Sequence, residues 1–243
     1  MGVTSIISRS MVNEGIGDST SLSVARTVGV VESAMTLNVP SDFTTLQDAM
    51  DWIEARILLA EVTIQIADGT YNVGTEHILN HPNYVLVSII GNETTPANVT
   101  FNCSGADNGF RIEGCLLRAL KGIKITNSTY HGIITSYLGG IRELRKVTID
   151  SVGFGLSSHY GSIIKGYDIT VNNCGTYYGF WAYSQSHMDI TNLTSTNNNL
   201  GVYAQFAGSI YLRGSSTLSG NNTNYNPTLN ASETTDGSII WGP

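Results

Sequence analysis

A glycine followed directly by a large apolar side chain recurs at a nearly constant interval through the middle of the chain. These glycines are Gly109, Gly132, Gly155, Gly179 and Gly201. Successive members lie 23, 23, 24 and 22 residues apart. Between them, segments such as residues 145–150 and 165–170 alternate large apolar with polar residues, which is typical of a half-buried β-strand. The pattern therefore predicts a repeat built from strands.

The residue types decide which architecture fits this period. Leucine-rich repeats have a similar length but need several leucines on a fixed spacing, whereas these segments carry Ile, Val, Thr, Asn, Gly and Tyr. Such residues favour strands and turns, and Asn-rich corners follow the strands at residues 172–173 and 197–199. The sequence thus predicts an all-β fold, a single-stranded right-handed parallel β-helix with about 22–24 residues per rung.

Ahead of the repeat, the apolar residues change to a helical period. One helical face carries Leu46, Met50, Ile53 and Ile57. Thr44, with Gln47 three residues later, has the spacing of a capping box that begins a helix. The open end of a β-helix exposes its apolar interior and unpaired strand edges, so we expect this short amphipathic helix to cover that end.

Three regions follow from this organisation. Residues 1–37 are rich in Ser, Val, Gly and Thr without a strong period, and we interpret them as an N-terminal attachment or oligomerisation arm. Residues 38–60 form the capping-helix region. Residues 61–243 form the parallel β-helix domain with a terminal strand. The first residues lack the basic start and apolar core of a signal peptide.

Composition narrows the classes of function. Charged residues make up 13% of the chain and the net charge is −7, which disfavours nucleic-acid binding because that requires a clustered basic face. No apolar run approaches the length of a membrane span, so we expect no membrane insertion. Cys103, Cys115 and Cys174 lack metal-ligand spacing and fit no disulfide framework, so we interpret them as packing residues. We expect no metal site and no cofactor.

Superposing the repeats places equivalent residues in columns, about 4.8 Å apart between neighbouring strands of a parallel sheet. The residues that follow the glycines should point inward, namely Phe110, Ile133, Leu156, Phe180 and Val202. Alternation directs the next column outward, and its members are Arg111, Ile134, Ser157, Trp181 and Tyr203. A further outward column, drawn with a one-residue slip in the Gly179 rung, consists of Glu113, Ser136, His159, Tyr183 and Gln205.

These outward columns contain the candidate ligand-binding residues. The predicted carbohydrate-binding set is Trp181, Tyr203, Tyr183, His159, Arg111, Glu113 and Gln205. Apolar sugar faces stack on aromatic rings, while amide, imidazole and charged groups hydrogen-bond to sugar hydroxyls. Two alternatives stay open. The rings could be ladder packing, because a further aromatic column, made of Tyr137, Tyr160 and Phe206, points inward or packs a corner. Alternatively, a trimer interface buries the rings.

A second repeated pattern, a charged residue before Ile-Thr or Val-Thr, aligns four ionisable side chains at intervals of 22, 22 and 21 residues: Lys124, Lys146, Asp168 and Asp189. In this alignment Asp168 and Asp189 lie one rung apart, near the ~5 Å carboxylate separation of retaining glycosidases, with Lys146 beside Asp168. A hydrolase would use one carboxylate as nucleophile and the other as acid, and a lyase would use a lysine as base. The alternative is a solvated ladder of surface ion pairs.

Residues 40–105 contain the segments SDFTTLQDAMDWI, VTIQIADGTYNV and VLVSIIGNETTPANVTF. Together they resemble the entry to the pectin-lyase-like superfamily of right-handed β-helices, and pectinesterases in particular. The resemblance implies the fold and not an activity, since function depends on the site that a fold carries. The Asp and Arg strings of pectinesterases and the Asp pairs and Gly-His-Gly of polygalacturonases have no counterpart in this sequence.

The chain closes with NYNPTLNASETTDGSIIWGP. This ending is similar to one found in β-helical domains of bacteriophage tail fibres and tailspikes, where a proline turn precedes a short apolar strand. The resemblance implies a virion receptor-binding protein, made in the host cytoplasm, that recognises host surface polysaccharide as a homotrimer and contacts other tail proteins through residues 1–37. The alternatives are a polysaccharide depolymerase (hydrolase or lyase) on the same fold, a structural virion component without a ligand, and, for location, a secreted protein.

Overall fold

Parallel strands wind this chain into a β-solenoid of about eight turns. The structure is a computed structural model and describes residues 29–175, 177–227 and 237–242. Strands of neighbouring turns pair in parallel throughout the described part. The predicted all-β fold, a parallel β-helix entered through a short helix, is therefore confirmed.

The strands of the first turns are β1 (Gly29–Val31), β2 (Met35–Val39), β3 (Arg56–Leu58), β4 (Val62–Ile66), β5 (Gly69–Asn72), β6 (His77–Leu79), β7 (Val87–Ile90), β8 (Val99–Asn102), β9 (Phe110–Glu113) and β10 (Leu116–Leu117). Those of the later turns are β11 (Ala119–Thr126), β12 (His131–Ser136), β13 (Gly140–Asp150), β14 (Phe154–His159), β15 (Ile163–Asn172), β16 (Tyr178–Tyr183), β17 (His187–Thr196), β18 (Leu200–Gln205), β19 (Ser209–Ser219), β20 (Thr223–Asn226) and β21 (Ile239–Trp241). The helices of the described residues are α1 (Leu46–Glu54) and two 3-10 helices, Pro82–Leu86 and Pro96–Asn98.

Two large sheets form the walls of the solenoid. The long sheet runs in the order β2-β4-β7-β11-β13-β15-β17-β19-β21, with β5, β8 and β10 paired alongside. The second sheet runs β20-β18-β16-β14-β12-β9-β6. A small separate sheet pairs β1 with β3. From β11 to β20 each turn therefore contributes one strand to each wall, and every rung position there acquires an inner or an outer side.

The core lies between the two walls and consists of the predicted inward column together with its counterparts on the long sheet. Ile133 is aligned with Phe110 and Leu156, and the column continues through Phe180 and Val202. All five side chains are fully buried. The inward column is thus confirmed. The three cysteines, Cys103, Cys115 and Cys174, are free and buried, as expected of packing residues.

The repeated glycines lie where the backbone of one turn approaches the backbone of the next. A Cβ added to Gly179 would lie 2.6 Å from the carbonyl oxygen of Gly201. At Gly155 it would clash with both the Gly179 carbonyl and the Val171 side chain. Neither Gly155 nor Gly179 has a positive φ, so glycine is required there by close approach and not by an unusual backbone conformation.

The Asn-rich corners follow the strands of the long sheet, as predicted. Asn173 and Asn197 have φ values of 58° and 55°, and Asn adopts this left-handed region more readily than most residues. Asn173 Nδ2 donates to Asp150 Oδ1 at 2.7 Å, and Asn197 Nδ2 donates to Asn173 Oδ1 at 3.3 Å. The corner residues therefore turn the chain and link successive turns by side-chain hydrogen bonds.

The helix α1 begins one residue later than the sequence pattern predicts. Thr45 is the N-cap: its hydroxyl accepts from the Asp48 backbone N–H at 3.1 Å, and the Asp48 carboxylate accepts from the Thr45 N–H at 3.0 Å. The predicted box of Thr44 and Gln47 is therefore wrong. Two consecutive threonines offer the same spacing, and an acidic side chain at the third helical position closes the box instead.

The apolar face of α1 packs on the first turns of the solenoid. Its buried members are Leu46, Ala49, Met50 and Ile53, which belong to the same continuous core as the strand residues. The prediction for Ile57 is wrong, because the helix ends at Glu54 and the chain enters β3, where Ile57 is 50% exposed. The helix thus covers one end of the core with a single face of about two and a half turns.

The predicted arm over residues 1–37 stays a prediction. Residues 1–28 lie outside the described residues. Within the remainder, β1 pairs with β3, and β2 pairs with β4 at the edge of the long sheet. At the other end, the predicted terminal strand is β21, which pairs with β19.

Gly155→Ala should destabilise the protein by about 3 kcal/mol, because a methyl group at that position overpacks a core in which neighbouring backbone must move. Gly175→Ala is the matched control: an added Cβ there meets nothing within 4 Å. Urea denaturation of both variants measures the difference in free energy of unfolding. Similar stability of the two variants would contradict a steric role for the glycine column.

Candidate functional site

The outer side of the second sheet carries the two outward columns predicted from the repeat. Trp181 is aligned with Ser157 on one neighbouring strand and with Tyr203 on the other. Tyr183 is aligned with His159 and with Gln205. Both columns are confirmed. The predicted one-residue slip in the Gly179 rung is wrong, since all five rungs keep one offset between the glycine and the outer residue.

An aromatic cluster covers this surface, and we call it the aromatic face. Its members are His131, Phe154, Tyr177, Tyr178, His159, Trp181, Tyr183 and Tyr203. The Trp181 ring lies at the centre, stacked 5.2 Å from Phe154 and 6.4 Å from Tyr203, with His159 edge-on at 4.4 Å. Trp181, Tyr183 and Tyr203 are half-buried, so each presents part of its ring to solvent.

Four members of the aromatic face, Tyr177 among them, were missed by the sequence analysis. His131, Phe154 and Tyr178 each precede one of the repeated glycines directly. His131 is aligned with Phe154 in the second sheet, and their rings stack at 4.6 Å. The repeated glycine marks both columns: the residue after it points inward, and the residue before it points outward. Comparing the residues before the glycines would therefore have identified this outward column from the sequence.

Polar atoms within the aromatic face have few partners. Trp181 Nε1 and His159 Nε2 are buried and make no hydrogen bond to any described residue. His131 Nδ1 lies 2.9 Å from the Ser157 hydroxyl. Ser157 points outward by register yet is fully buried, because the rings lie over it. The face is therefore mostly apolar, with an indole N–H and an imidazole nitrogen left unpaired at its centre.

Burial lowers the pKa of His159 to about 4. Burial, together with the charge of the neighbouring His159, lowers the pKa of His131 to about 3. Both imidazoles are therefore neutral at neutral pH. At pH 7 the aromatic face presents rings, hydroxyls and neutral imidazoles to its surroundings.

Arg111 and Glu113 belong to the same outer columns but lie away from the rings. Both are on β9, separated from β16 by β12 and β14, which is roughly 14 Å at ~4.8 Å per strand. Arg111 pairs with Glu113 at 3.1 Å and with Glu76 at 3.5 Å. Gln205 lies beside Tyr183. The structure thus brings together five of the seven predicted residues and leaves the charged pair at one end.

The corner after the second sheet carries Tyr137, Tyr160 and Phe206. They have φ values between 51° and 53° and are 45–61% exposed, so these rings lie on the outside of the corner and not in the core. Tyr160 lies 5.6 Å from Tyr183, and Tyr183 lies 5.3 Å from Phe206. The exposed corner therefore continues the aromatic face.

The predicted ladder of Lys124, Lys146, Asp168 and Asp189 is wrong as a column of four, although Lys146 and Asp168 do share one rung position, both at a left-handed bend with φ values of 52° and 56°. Asp189 is aligned with Lys165, and Lys124 with Thr148. Asp168 lies at a left-handed bend, φ 56°, where the next turn has Asn192, φ 58°. The Asp-Ile-Thr triplets at residues 168–170 and 189–191 are therefore three positions out of register with each other, although their residue types are identical.

The carboxylates of this former ladder have separate partners. Asp168 Oδ1 accepts from Asn192 Nδ2 at 2.8 Å, and Asp189 Oδ1 accepts from Arg213 Nε at 2.7 Å. A catalytic role for Asp168, Asp189 or Lys146 stays a prediction. The pairing that motivated it, two carboxylates at neighbouring positions of one column, is not present.

No family model, curated protein or solved structure matches the chain. No group of three or more His, Cys, Asp or Glu side chains in the described ranges is placed to hold a metal ion. Among the same residues, no helix has the length and apolar character needed to cross a membrane.

His159→Phe should flatten the loss of stability that the wild-type protein shows on acidification. Between pH 6.5 and the folded-state pKa, the unfolded chain binds a proton that the folded chain does not, so the free energy of unfolding falls as the pH is lowered. For one such histidine the loss is about 2 kcal/mol between pH 6.5 and pH 5. Urea denaturation at pH 7 and pH 5 measures it.

Tyr183→Phe is the control for this experiment, because it alters the same cluster without removing an imidazole. It should keep the pH dependence of the wild-type protein. Identical pH dependence in wild type and His159→Phe would show that His159 is not held neutral by burial.

Proposed function

We propose that this protein recognises a host cell-surface polysaccharide through the aromatic face, as a bacteriophage receptor-binding protein of the tail-fibre or tailspike type. The observation that supports recognition is the set of half-exposed rings around Trp181, which lie on a parallel β-solenoid. The similarity of the C-terminal segment to tail-fibre endings supports the assignment to a virion. Attachment to other tail proteins through residues 1–37 belongs to the same proposal.

The geometry of the rings suits the faces of sugars. Phe154, Trp181 and Tyr203 are near parallel, with interplanar angles of 19° and 15° to Trp181. A sugar presents an apolar face of C–H groups, and aromatic side chains offer large apolar area at a low cost in conformational entropy. The tyrosine hydroxyls supply hydrogen bonds at the edges of such a contact.

The scaffold supports recognition of a chain rather than of a single sugar. Trp181 and Tyr203 occupy the same rung position on adjacent strands, and equivalent positions recur about every 4.8 Å along the solenoid. Since successive strands are fully paired, the rings are held on rigid elements, which reduces the ordering cost of binding. A polysaccharide lying along the solenoid would contact several turns at once.

The exposed corner supports a homotrimer as part of the proposal. Tyr137 is 61% and Leu138 80% exposed, and the Tyr137 ring stacks 5.2 Å from Tyr160. Exposed apolar patches of this kind commonly mark interaction sites. Packing of three solenoids along this edge would cover the corner while leaving the central rings around Trp181 open to a ligand.

Trp181→Ala should weaken binding to the recognised polysaccharide at least about tenfold, as expected from loss of one aromatic contact. Binding to a panel of purified lipopolysaccharides and capsular polysaccharides, measured by biolayer interferometry, identifies the ligand first. Tyr211→Ala is the matched control, because Tyr211 is 36% exposed but lies on the long sheet. No binding by the wild type, or unchanged binding by Trp181→Ala with its fold intact, would reject the proposal.

The wild-type protein should sediment as a trimer of the 26.1 kDa chain, and Leu138→Asp should dissociate it. Leu138 has a φ of 64°, which Asp tolerates, so the substitution adds a charge at the corner without added backbone strain. Leu59→Asp serves as control, since Leu59 is 67% exposed elsewhere. Analytical ultracentrifugation distinguishes the species, and a stable wild-type monomer would contradict the trimer.

A further inference from the structure

The outer side of the long sheet concentrates the basic residues of an otherwise acidic chain. Eight of the 12 Lys and Arg residues lie on its strands or in the one-residue link between β10 and β11. They are Arg118, Lys121, Lys124, Arg142, Arg145, Lys146, Lys165 and Arg213. A net charge of −7 therefore conceals a local surface of the opposite sign.

Three of these residues form what we call the cationic column. Leu117, Ile141 and Ile164 are aligned in the long sheet and buried. The residue after each one is exposed or half-buried and so lies on the outer side. These residues are Arg118, Arg142 and Lys165, one on each of three successive turns. Like charges at neighbouring positions of a sheet repel one another and destabilise the fold, so an anion bound between them would relieve that repulsion.

The cationic column retains positive charge after its ion pairs are counted. Arg118 pairs with Glu61 at 2.7 Å. Arg142 is exposed and makes no ion pair with a described residue. Lys165 is exposed, and its Nζ lies 5.6 Å from the centre of the Tyr167 ring. Arg142 and Lys165 are thus two neighbouring cations that form no ion pair with a described residue, although Asp189 is aligned with Lys165 on the next turn.

The column opens into a groove of about 540 Å³. Arg145 lines it and is held by Glu93 at 2.5 Å. Glu143, Tyr167 and Asp168 complete the lining. The groove therefore combines cations with carboxylate and phenol oxygens that accept hydrogen bonds.

We propose that this groove binds the carboxylate or sulfate groups of an acidic polysaccharide. The cations would pair with the anionic groups, while Glu143 and Asp168 would accept hydrogen bonds from sugar hydroxyls. Those two carboxylates disfavour a nucleic acid, which carries a phosphate at every nucleotide. A nucleic-acid base could not stack on the Tyr167 ring either, because Lys165 lies over that ring. The groove lies on the long sheet and the aromatic face on the second sheet, so the two proposals stand separately.

The test uses the full-length chain and isothermal titration calorimetry. Oligogalacturonate and dextran sulfate are the two acidic probes, one carrying carboxylates and the other sulfates, and neutral dextran, a single-stranded oligothymidylate and polyglutamate are the comparisons. The wild-type protein should bind at least one acidic polysaccharide more tightly than any comparison. Affinity should fall as salt is raised from 50 to 200 mM, because ion pairing at an exposed groove is screened.

Arg142→Gln and Lys165→Gln should each weaken that binding about fivefold, the size expected for loss of one contact between unit charges in water. Lys124→Gln removes the same charge from the same sheet, outside the groove lining, and should leave affinity within twofold. Tighter binding of oligothymidylate or polyglutamate, absence of binding to both acidic polysaccharides, or equal effects of all three substitutions would each overturn the proposal. The aromatic face is assessed independently by Trp181→Ala with the host polysaccharide.

Discussion

The close approach of one turn's backbone to the next at the repeated glycines is the constraint on which the rest of this structure depends. A side chain at Gly155 would strike both the carbonyl of Gly179 and the core residue Val171. The five turns that carry these glycines each return to this position, so the distance between glycines sets the length of those turns. The length of a turn determines which residues of neighbouring turns align, and this alignment decides which side chains are buried and which face solvent.

This constraint explains why much of the architecture could be predicted from the sequence. Once Gly109, Gly132 and their successors are superposed, the residue after each glycine is inward and the next is outward, and both predictions are confirmed by the register. The composition of the strands and corners then identifies a parallel β-helix. A steric requirement that recurs in five successive turns leaves a clear trace in the sequence, because glycine alone lacks the Cβ that would clash there.

The charged ladder could not be predicted in the same way. Lys146, Asp168 and Asp189 look equivalent by their neighbours, yet only Lys146 and Asp168 share the left-handed bend, and Asp189 lies three positions before the corresponding bend in its own turn. An exposed position accepts many residue types. Identical residues at exposed positions therefore do not show that those positions are aligned in the sheet. The capping box is a related case: Thr44 and Thr45 are adjacent, and only backbone conformation decides which one is the N-cap.

The aromatic face and the groove beside the cationic column differ in chemistry because each rung position belongs to one wall. Aromatic residues recur where the chain crosses the second sheet, and basic residues recur where it crosses the long sheet, so a charge summed over the whole chain averages over surfaces that face in different directions. Composition alone is therefore a coarse guide: a net charge of −7 disfavours nucleic-acid binding, yet Arg142 and Lys165 lie exposed on neighbouring turns and form no ion pair with a described residue. In a solenoid, the appropriate unit for electrostatic reasoning is the column, because a ligand that follows the solenoid axis meets the same rung position again at every turn.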